Sequence, residues 1–294
     1  MASIMPDMSS NTIQLYDGRT LGFLECGDPG GKPVFYFHGF PGSRVEVQFA
    51  DKTALQKNIR MIGIDRPGYG VSGYKQNRTI LDWPDDVTQL ADKLGIDRFS
   101  VLGVSGGGPY AAACAYKLTH RLVSAGIVCG LGPIDASSAL GGMLWINRLG
   151  LRIAARMPWL IKIIIQPVAI LLRHRAETVV YFLARRTEAA DRLELKRPDI
   201  KAIMAATFKE SMRSGPAGAA RDVILYANPW GFDLQHIRPK VYLWHGDKDA
   251  IVPVTMGRFL ADTIPNCRAS FYAVEGHFSL LINFMADILG KLVT

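Results

Sequence analysis

Short apolar runs alternate with helical stretches along most of this 294-residue chain, and this alternation constrains the fold more than any other feature. Apolar runs of roughly four to eight residues, bounded by turn residues, are typical of buried strands. Strands that are buried on both faces and joined through helices form a mostly parallel sheet, because each crossover places a helix on one face. We therefore predict an α/β fold with a mostly parallel sheet flanked by helices.

The predicted strands are two short ones within residues 13–26, followed by 34–37, 60–64, 99–104, 122–129, 241–244 and 269–274. Asp17 and Gly18 separate the first two, and Asp-Gly predicts a hairpin there. The predicted helices begin near Ser43, then cover 82–94, 106–118 and 255–264, and a last one ends at Leu292. We expect Ser43 to cap its helix, with Glu46 three residues on.

The alternation stops after Gly130. From residue 133 to residue 233 the sequence shows helical periodicity and a mixture of basic and apolar residues without a clear strand, and the alternation then resumes. We predict a core domain formed by residues 1–132 and 234–294, with residues 133–233 inserted as a helical cap.

One serine stands where nucleophilic chemistry is favoured. Ser105 lies in residues 103–107, a match to G-x-S-x-G, between a predicted strand and a predicted helix. In a nucleophile elbow the turn is tight, so the neighbours must be small, and the helix N-terminus aims backbone donors at developing negative charge. A glycine-rich turn without chemistry is the alternative, and the strand and helix on either side favour the nucleophile.

A serine nucleophile needs a base, and the base needs a carboxylate. Of the six histidines, His277 follows the last predicted strand, at the carboxyl end of the sheet where such folds gather their sites. Two aspartates follow the strand 241–244. We assign the orienting role to Asp249, which lies farther into the loop, and expect Asp247 to form a local Asx turn. Asp135 is a third, more distant candidate.

Two backbone N–H groups are expected to hold the oxyanion of a tetrahedral intermediate. One belongs to Gly106, directly after the nucleophile, and the other to Phe40, in residues 38–42. The Gly and Pro content of this segment also describes a plain strand-to-helix turn, and the two descriptions are compatible. We expect the side chain of His38 to hold this loop by hydrogen bonds rather than to react.

With these motifs the chain resembles the α/β-hydrolase-fold proteins of the helical-cap branch, which includes epoxide hydrolases, haloalkane dehalogenases, esterases and C–C bond hydrolases. The matching segments are HGFPGS at 38–43, DRPGYGVS at 65–72, GVSGGG at 103–108, HGDKDAIVP at 245–253 and EGHFSL at 275–280. The resemblance implies the α/β-hydrolase fold with an eight-stranded sheet, and the triad Ser105, Asp249 and His277 in that chain order.

Departures from other family members narrow the expected activity. Epoxide hydrolases and dehalogenases carry an aspartate in place of Ser105, and both the HGGG of one esterase group and the G-G-S-W-G-S elbow of proline iminopeptidases are absent. We expect a serine hydrolase, a carboxylesterase that acts on a small hydrophobic ester through an acyl-enzyme. A C–C bond hydrolase with the same triad and a small-molecule receptor on this fold are the alternatives. No flavin, nicotinamide or PLP signature and no metal-ligand spacing is present, so neither a cofactor nor a metal is expected.

The predicted cap is strongly apolar and is expected to shape the substrate pocket. Helix packing accounts for most of its apolar residues, and Trp145 is our candidate for the pocket, together with Phe40 and Tyr110 of the core. Basic residues alternate with Trp and Ile in the cap, as they do on helices that lie at membrane surfaces. A lid helix has the same pattern, and we favour the lid over contact with a membrane surface.

The net charge of +8 is spread without a long polybasic run, and no nucleic-acid-binding module is present, so no nucleic-acid partner is expected. The four cysteines lack CxxC spacing and predict no disulfide framework. The first 14 residues lack an apolar signal-peptide core, and a cytoplasmic protein is expected. The oligomeric state is left open.

Overall fold

The computed structural model describes residues 11–134, 143 and 145–294. Its strands are β1 Asn11–Gln14, β2 Thr20–Gly27, β3 Lys32–Phe37, β4 Ile59–Ile64, β5 Phe99–Val104, β6 Leu122–Val128, β7 Val241–Gly246 and β8 Cys267–Tyr272. They form one eight-stranded sheet in the order β1-β2-β4-β3-β5-β6-β7-β8. β2 pairs antiparallel with β1 and β4, and every other neighbouring pair is parallel. The predicted fold class, a mostly parallel eight-stranded sheet flanked by helices, is confirmed.

The helices of the described residues are α1 Asp51–Gln56, α2 Trp83–Lys93, α3 Gly108–Lys117, α4 Trp145–Arg156, α5 Pro158–Arg186, α6 Ala189–Leu195, α7 Pro198–Ser211, α8 Ala217–Tyr226, α9 Val254–Thr263, α10 His277–Asn283 and α11 Met285–Leu292. Five of them, α4 to α8, lie between β6 and β7, the part of the chain where the alternation of strands and helices stops. No helix within the described ranges has both the length and the apolarity needed to cross a bilayer.

Two predicted helices differ from those in the structure. The segment after Ser43 is a 3₁₀ helix, Arg44–Ala50, and the Ser43 hydroxyl makes no capping bond. The reason is that Glu46 turns inward, where its carboxylate accepts hydrogen bonds from Gly39 N and Tyr36 Oη instead of closing a capping box. The predicted last helix is two helices, α10 and α11. The hairpin is confirmed, with Gly18 at φ 80° in its turn.

Apolar residues cover both faces of the sheet. Along β3, Phe35 and Phe37 pack into the cluster that contains α2 and α3, while Val34 and Tyr36 pack into the cluster on the other face, with α11. This alternation follows from the strand period of two, which sends successive side chains to opposite faces. A separate apolar cluster joins α5, α7 and α8, and it reaches the core through half-buried Phe40 and Phe278.

Candidate active site

Ser105 lies on a sharp turn between β5 and α3. Its backbone has φ 54°, the left-handed region that a non-glycine residue rarely adopts, and the residue is 7% exposed. The turn leaves no room for larger neighbours: a Cβ atom on Gly103 would lie 2.3 Å from Gly107 O, and one on Gly107 would lie 2.1 Å from Phe37 O. The strand, the tight turn and the following helix are the context that a nucleophile elbow requires.

His277 and Asp249 are hydrogen-bonded to each other. His277 Nδ1 lies 2.7 Å from Asp249 Oδ2, and both side chains are buried. The other carboxylate oxygen, Oδ1, accepts from the backbone N–H groups of Ile251 and Val252, at 2.9 and 2.8 Å. The Asx-type contacts that we predicted for Asp247 thus belong to Asp249, and Asp247 pairs with Arg258 instead. The third candidate, Asp135, lies outside the described residues.

The charges of these two side chains depend on each other. Burial disfavours ionisation of Asp249, but the nearby charge of His277 and its hydrogen bond hold the pKa of Asp249 well below its ordinary range. Burial likewise disfavours the charged form of His277, but the carboxylates of Asp249 and Asp191 raise its pKa above the ordinary value. A proton on Nδ1, facing the carboxylate, leaves Nε2 free to accept a proton from a nucleophile.

All three side chains lie at one edge of the sheet. β5, β6, β7 and β8 are consecutive neighbours and run parallel, so their carboxyl ends meet. Ser105 directly follows β5, Asp249 lies in the loop after β7, and His277 follows β8. This edge is where open α/β sheets place their ligands, because the loops that connect the strands converge there.

Residues 38–42, which we call the oxyanion loop, pack directly against the serine turn. A Cβ atom on Gly106 would lie 3.3 Å from the backbone nitrogen of Phe40 and 2.7 Å from its Cβ atom. A Cβ atom on Gly39 would lie 3.6 Å from that of Ser105. The two predicted oxyanion donors, the N–H groups of Phe40 and Gly106, therefore belong to backbones that are in contact beside Ser105.

His38 holds the oxyanion loop to the strand edge. Its Nδ1 lies 2.9 Å from Gly39 O, and its Nε2 accepts from the backbone N–H of Arg66 at 3.3 Å. Burial and the nearby positive charge of Arg66 lower the pKa of His38 well below its ordinary value. A neutral imidazole with one donor and one acceptor satisfies both bonds, and both ring nitrogens are used within the loop and its support.

A buried ionic cluster, which the sequence did not reveal, is hydrogen-bonded to the oxyanion loop. Arg66 donates to the carbonyl oxygens of His38 and Gly39, and its Nε donates to Asp222 of α8 at 2.9 Å. Arg78 also donates to Asp222. The positive charges hold the pKa of Asp222 well below its ordinary range despite burial. The only signal in the sequence was the DRPGYG motif around Arg66, which does not reveal that its partner comes from α8.

Three tyrosines complete this cluster. The hydroxyl groups of Tyr69, Tyr110 and Tyr226 lie 2.9, 2.6 and 3.1 Å from carboxylate oxygens of Asp222. The Tyr226 hydroxyl also lies 2.8 Å from Gly106 O, so the cluster reaches the serine turn as well as the oxyanion loop. This placement corrects our expectation for Tyr110, which has no exposed surface and contacts the cluster rather than a pocket mouth.

Asp191 of α6 caps the helix that begins at His277, a second feature that the sequence did not reveal. Its Oδ2 accepts from His277 N at 3.0 Å, and its Oδ1 accepts from the N–H groups of Phe278 and Ser279, both at 2.9 Å. A Cβ atom on Gly276 would lie 2.5 Å from Oδ1, so a side chain there would displace the capping carboxylate. A helix between β6 and β7 thus fixes the backbone that carries the predicted base.

The other two predicted pocket residues lie in different surroundings. Phe40 is half-buried and packs its ring edge-on to Tyr226, with centroids 5.8 Å apart. Trp145, the first residue of α4, is 72% exposed, so its indole faces outward and the structure does not support a pocket role for it.

One group of potential metal ligands occurs within the described ranges. Cys129, His245 and Asp249 bring ligand atoms within 4.8 Å of one another. Burial raises the pKa of the Cys129 thiol well above its ordinary value, and His245 Nε2 already lies 2.9 Å from Val252 O. Asp249 is bonded to His277. A metal would need the thiolate form of Cys129 and free lone pairs on the other two side chains. The arrangement therefore suits a role in holding Asp249 in place better than a metal centre.

Comparisons with known proteins agree with the fold. The chain is similar to a proline iminopeptidase of Xanthomonas citri, at 32% identity over 136 residues that make up 43% of each protein. It is also similar to the dihydrolipoyllysine-residue acetyltransferase component of the acetoin cleaving system of Pseudomonas putida, at 30% identity over 178 residues, 59% of this chain and 46% of that protein. The chain thus spans less than half the length of these curated relatives.

Among solved structures, an esterase from Exiguobacterium antarcticum superposes on this chain with a TM-score of 0.70 at 15% identity. The superposition covers 97% of this chain and 100% of the esterase. At this identity the likeness shows a shared fold. The family model described as alpha/beta hydrolase fold matches residues 32–284, from β3 to the end of α10. The chain therefore belongs to the α/β-hydrolase fold family.

Proposed function

We propose that this protein hydrolyses carboxylic esters with an apolar acyl group, with Ser105 as nucleophile, His277 as general base and Asp249 as the carboxylate that orients it. Residues 133–233 act as a cap over the site. The observation that carries the proposal is the 2.7 Å contact between His277 Nδ1 and Asp249 Oδ2, at the sheet edge where Ser105 is held at φ 54°. A strained serine at the same sheet edge as an imidazole oriented by a carboxylate supports this proposal, because such a base can activate a hydroxyl for acyl transfer.

The reaction follows the two halves of acyl transfer. Ser105 Oγ attacks the ester carbonyl carbon while His277 Nε2 takes the hydroxyl proton, and the N–H groups of Phe40 and Gly106 hold the oxyanion. The intermediate collapses, and the alcohol leaves with the proton from His277. Water then attacks the acyl-enzyme by the same route and releases the acid. Asp249 keeps the imidazole in the required tautomer and stabilises its charged form.

The buried charges favour an ester over a substrate with a free amino group. An aminopeptidase must hold a substrate ammonium group, and a carboxylate is the usual partner. Four buried carboxylates near this site, among the described residues, already have partners. Asp191 accepts three backbone N–H bonds, Glu46 is bonded to Gly39 N and Tyr36 Oη, and Asp222 is paired with two arginines. Glu275 accepts from Asn283 Nδ2 at 3.3 Å. Each is already used, which supports a substrate recognised by apolar contact.

The test is hydrolysis of p-nitrophenyl esters from acetate to laurate, alongside prolyl p-nitroanilide. Wild type is compared with Ser105→Ala and with Ser214→Ala, a matched control whose hydroxyl donates to Gly70 O. We expect multiple turnovers on esters that are lost in Ser105→Ala and retained in Ser214→Ala. The preferred acyl length then sizes the pocket.

Three results would contradict the proposal. Faster turnover of the prolyl anilide than of every ester would indicate a peptidase. A single turnover that stops with the acyl group retained would favour the receptor alternative. Absence of turnover on any ester, by a protein that still unfolds cooperatively, would direct the search to C–C bond hydrolysis.

A further inference from the structure

The segment that forms α4 and α5 carries most of the large apolar side chains that are exposed in the described part of the chain. Of the 19 large apolar side chains that are exposed in the described part of the chain, 12 lie between residues 145 and 182. Trp145 and Trp159 are 72% and 61% exposed, and Ile163 and Ile170 are 60% and 54% exposed. In soluble proteins, exposed large apolar residues usually occur singly. Their concentration on two consecutive helices therefore indicates an interaction surface.

The helix α5 is apolar on two opposite sides. Ile161, Ile165, Ala169 and Leu172 recur every three or four residues and are buried against the helices next to α5. Trp159, Ile163 and Ile170 are also spaced four and seven residues apart, and they form the opposite, exposed side. The buried side explains why α5 packs against its neighbouring helices. That packing does not require the exposed side to be apolar.

The charges of this surface are predominantly positive. Between residues 145 and 182 the sequence contains six Arg and Lys residues and one acidic residue, Glu177. Arg152, Arg156, Lys162 and Arg173 are exposed, between the apolar side chains. Two copies of the chain meeting through this surface would oppose six basic residues with a single acidic residue, Glu177, to pair with them. A partner with an apolar interior and a negatively charged surface matches both features, and an anionic lipid bilayer has both.

We propose that this outer surface of α4 and α5, the docking face, binds the surface of membranes that contain anionic lipids, with the helices lying in the interfacial plane. The apolar side chains enter the boundary between headgroups and acyl chains, and the arginines and Lys162 contact the lipid phosphates. Trp145 and Trp159 fit the same depth, because indole rings favour the membrane–water interface. This inference revises our preference from the sequence, which favoured a lid role alone.

Vesicle flotation of the purified protein tests the proposal. Vesicles of phosphatidylcholine alone are compared with vesicles of equal parts phosphatidylcholine and phosphatidylglycerol. We expect wild type to float with the anionic vesicles, with an affinity about tenfold or more above that for neutral ones, and to be released by high salt. Ile163→Gln with Ile170→Gln, and separately Arg152→Gln with Lys162→Gln, should abolish flotation. Leu55→Gln and Lys93→Gln, which alter an exposed apolar and an exposed basic residue elsewhere, should not.

Tryptophan fluorescence gives a second, independent readout. Trp83, Trp230 and Trp244 are buried, so a blue shift on vesicle binding must come from Trp145 and Trp159. The shift should vanish when both are changed to Phe. Equal binding to neutral and anionic vesicles, no binding, or binding unchanged in the docking-face variants would each overturn the proposal. So would a wild-type dimer in sedimentation velocity that the Ile163 and Ile170 changes dissociate, because the face would then cover a second copy.

Discussion

Asp191 gives the sharpest test of how the helices between β6 and β7 act on the site. Its carboxylate accepts three backbone N–H bonds of 2.9 to 3.0 Å at the start of α10, and the residue is 1% exposed. In Asp191→Asn the remaining oxygen can accept from two of these N–H groups. The amide NH₂ faces the third N–H group and cannot accept from it. A buried donor left unpaired costs about 1–3 kcal/mol, so we expect the free energy of unfolding to fall by about that amount.

The same substitution changes the charge near the predicted base. Asp191 contributes to the raised pKa of His277, and the isosteric amide removes that negative charge. The pKa of His277 should therefore fall, and the acid limb of the pH profile of kcat/KM should move to lower pH. A residue that only stabilised the fold would leave this limb in place.

The assay combines urea unfolding with pH profiles of ester hydrolysis. Asp199→Asn in α7 is the control, because Asp199 forms an exposed ion pair with Arg197, and such pairs contribute at most about 1 kcal/mol. The reasoning is refuted if Asp191→Asn and Asp199→Asn unfold at the same urea concentration and share one acid limb. If Asp191→Asn loses stability but the acid limb of its kcat/KM profile stays in place, the capping role is supported and the electrostatic role is refuted.

Three further predictions concern the supports of the site. Asp222→Asn leaves two buried arginines without their counter-ion and should cost about 3–5 kcal/mol in urea unfolding, whereas Asp85→Asn, at an exposed pair, should cost at most about 1 kcal/mol. Gly106→Ala should lower kcat by about 10²–10³-fold, because the new Cβ displaces the oxyanion loop. Gly150→Ala is the control and should leave kcat unchanged, because a Cβ there has no neighbour within 4 Å. Equal kcat values for the two variants would contradict the role of the oxyanion loop. In wild type, kcat/KM should rise with pH through a midpoint above about 6.5, since His277 must lose its proton to act and its pKa is raised; a midpoint below that value would contradict the assignment of the base.

The features that local sequence determines were predictable. β5 has a mostly apolar sequence, the glycines around Ser105 indicate a tight turn, and Asp17 with Gly18 indicates a hairpin; the structure contains each of these. Such features depend on residues within a few positions of one another, so their physical causes are visible in the sequence.

The supports of the site were not predictable because they depend on distant partners. Asp191 is 86 residues from His277 along the chain, and Asp222 is 156 residues from Arg66. Nothing near either aspartate marks it as buried or as a hydrogen-bond acceptor for another element. The Ser43 cap was wrong for the same reason, because Glu46 is held by the oxyanion loop, a tertiary contact that outweighs the local capping preference.

The role of Ser105 can be tested by labelling with a fluorophosphonate and mapping the modified residue by mass spectrometry. We expect one adduct, on Ser105, that is absent in Ser105→Ala. We also expect that Asp249→Asn slows labelling by about 10³–10⁴-fold, because the imidazole loses its tautomer and its charge partner. An adduct on another residue would rule out Ser105 as the nucleophile, and labelling of Asp249→Asn at the wild-type rate would rule out the orienting role of Asp249.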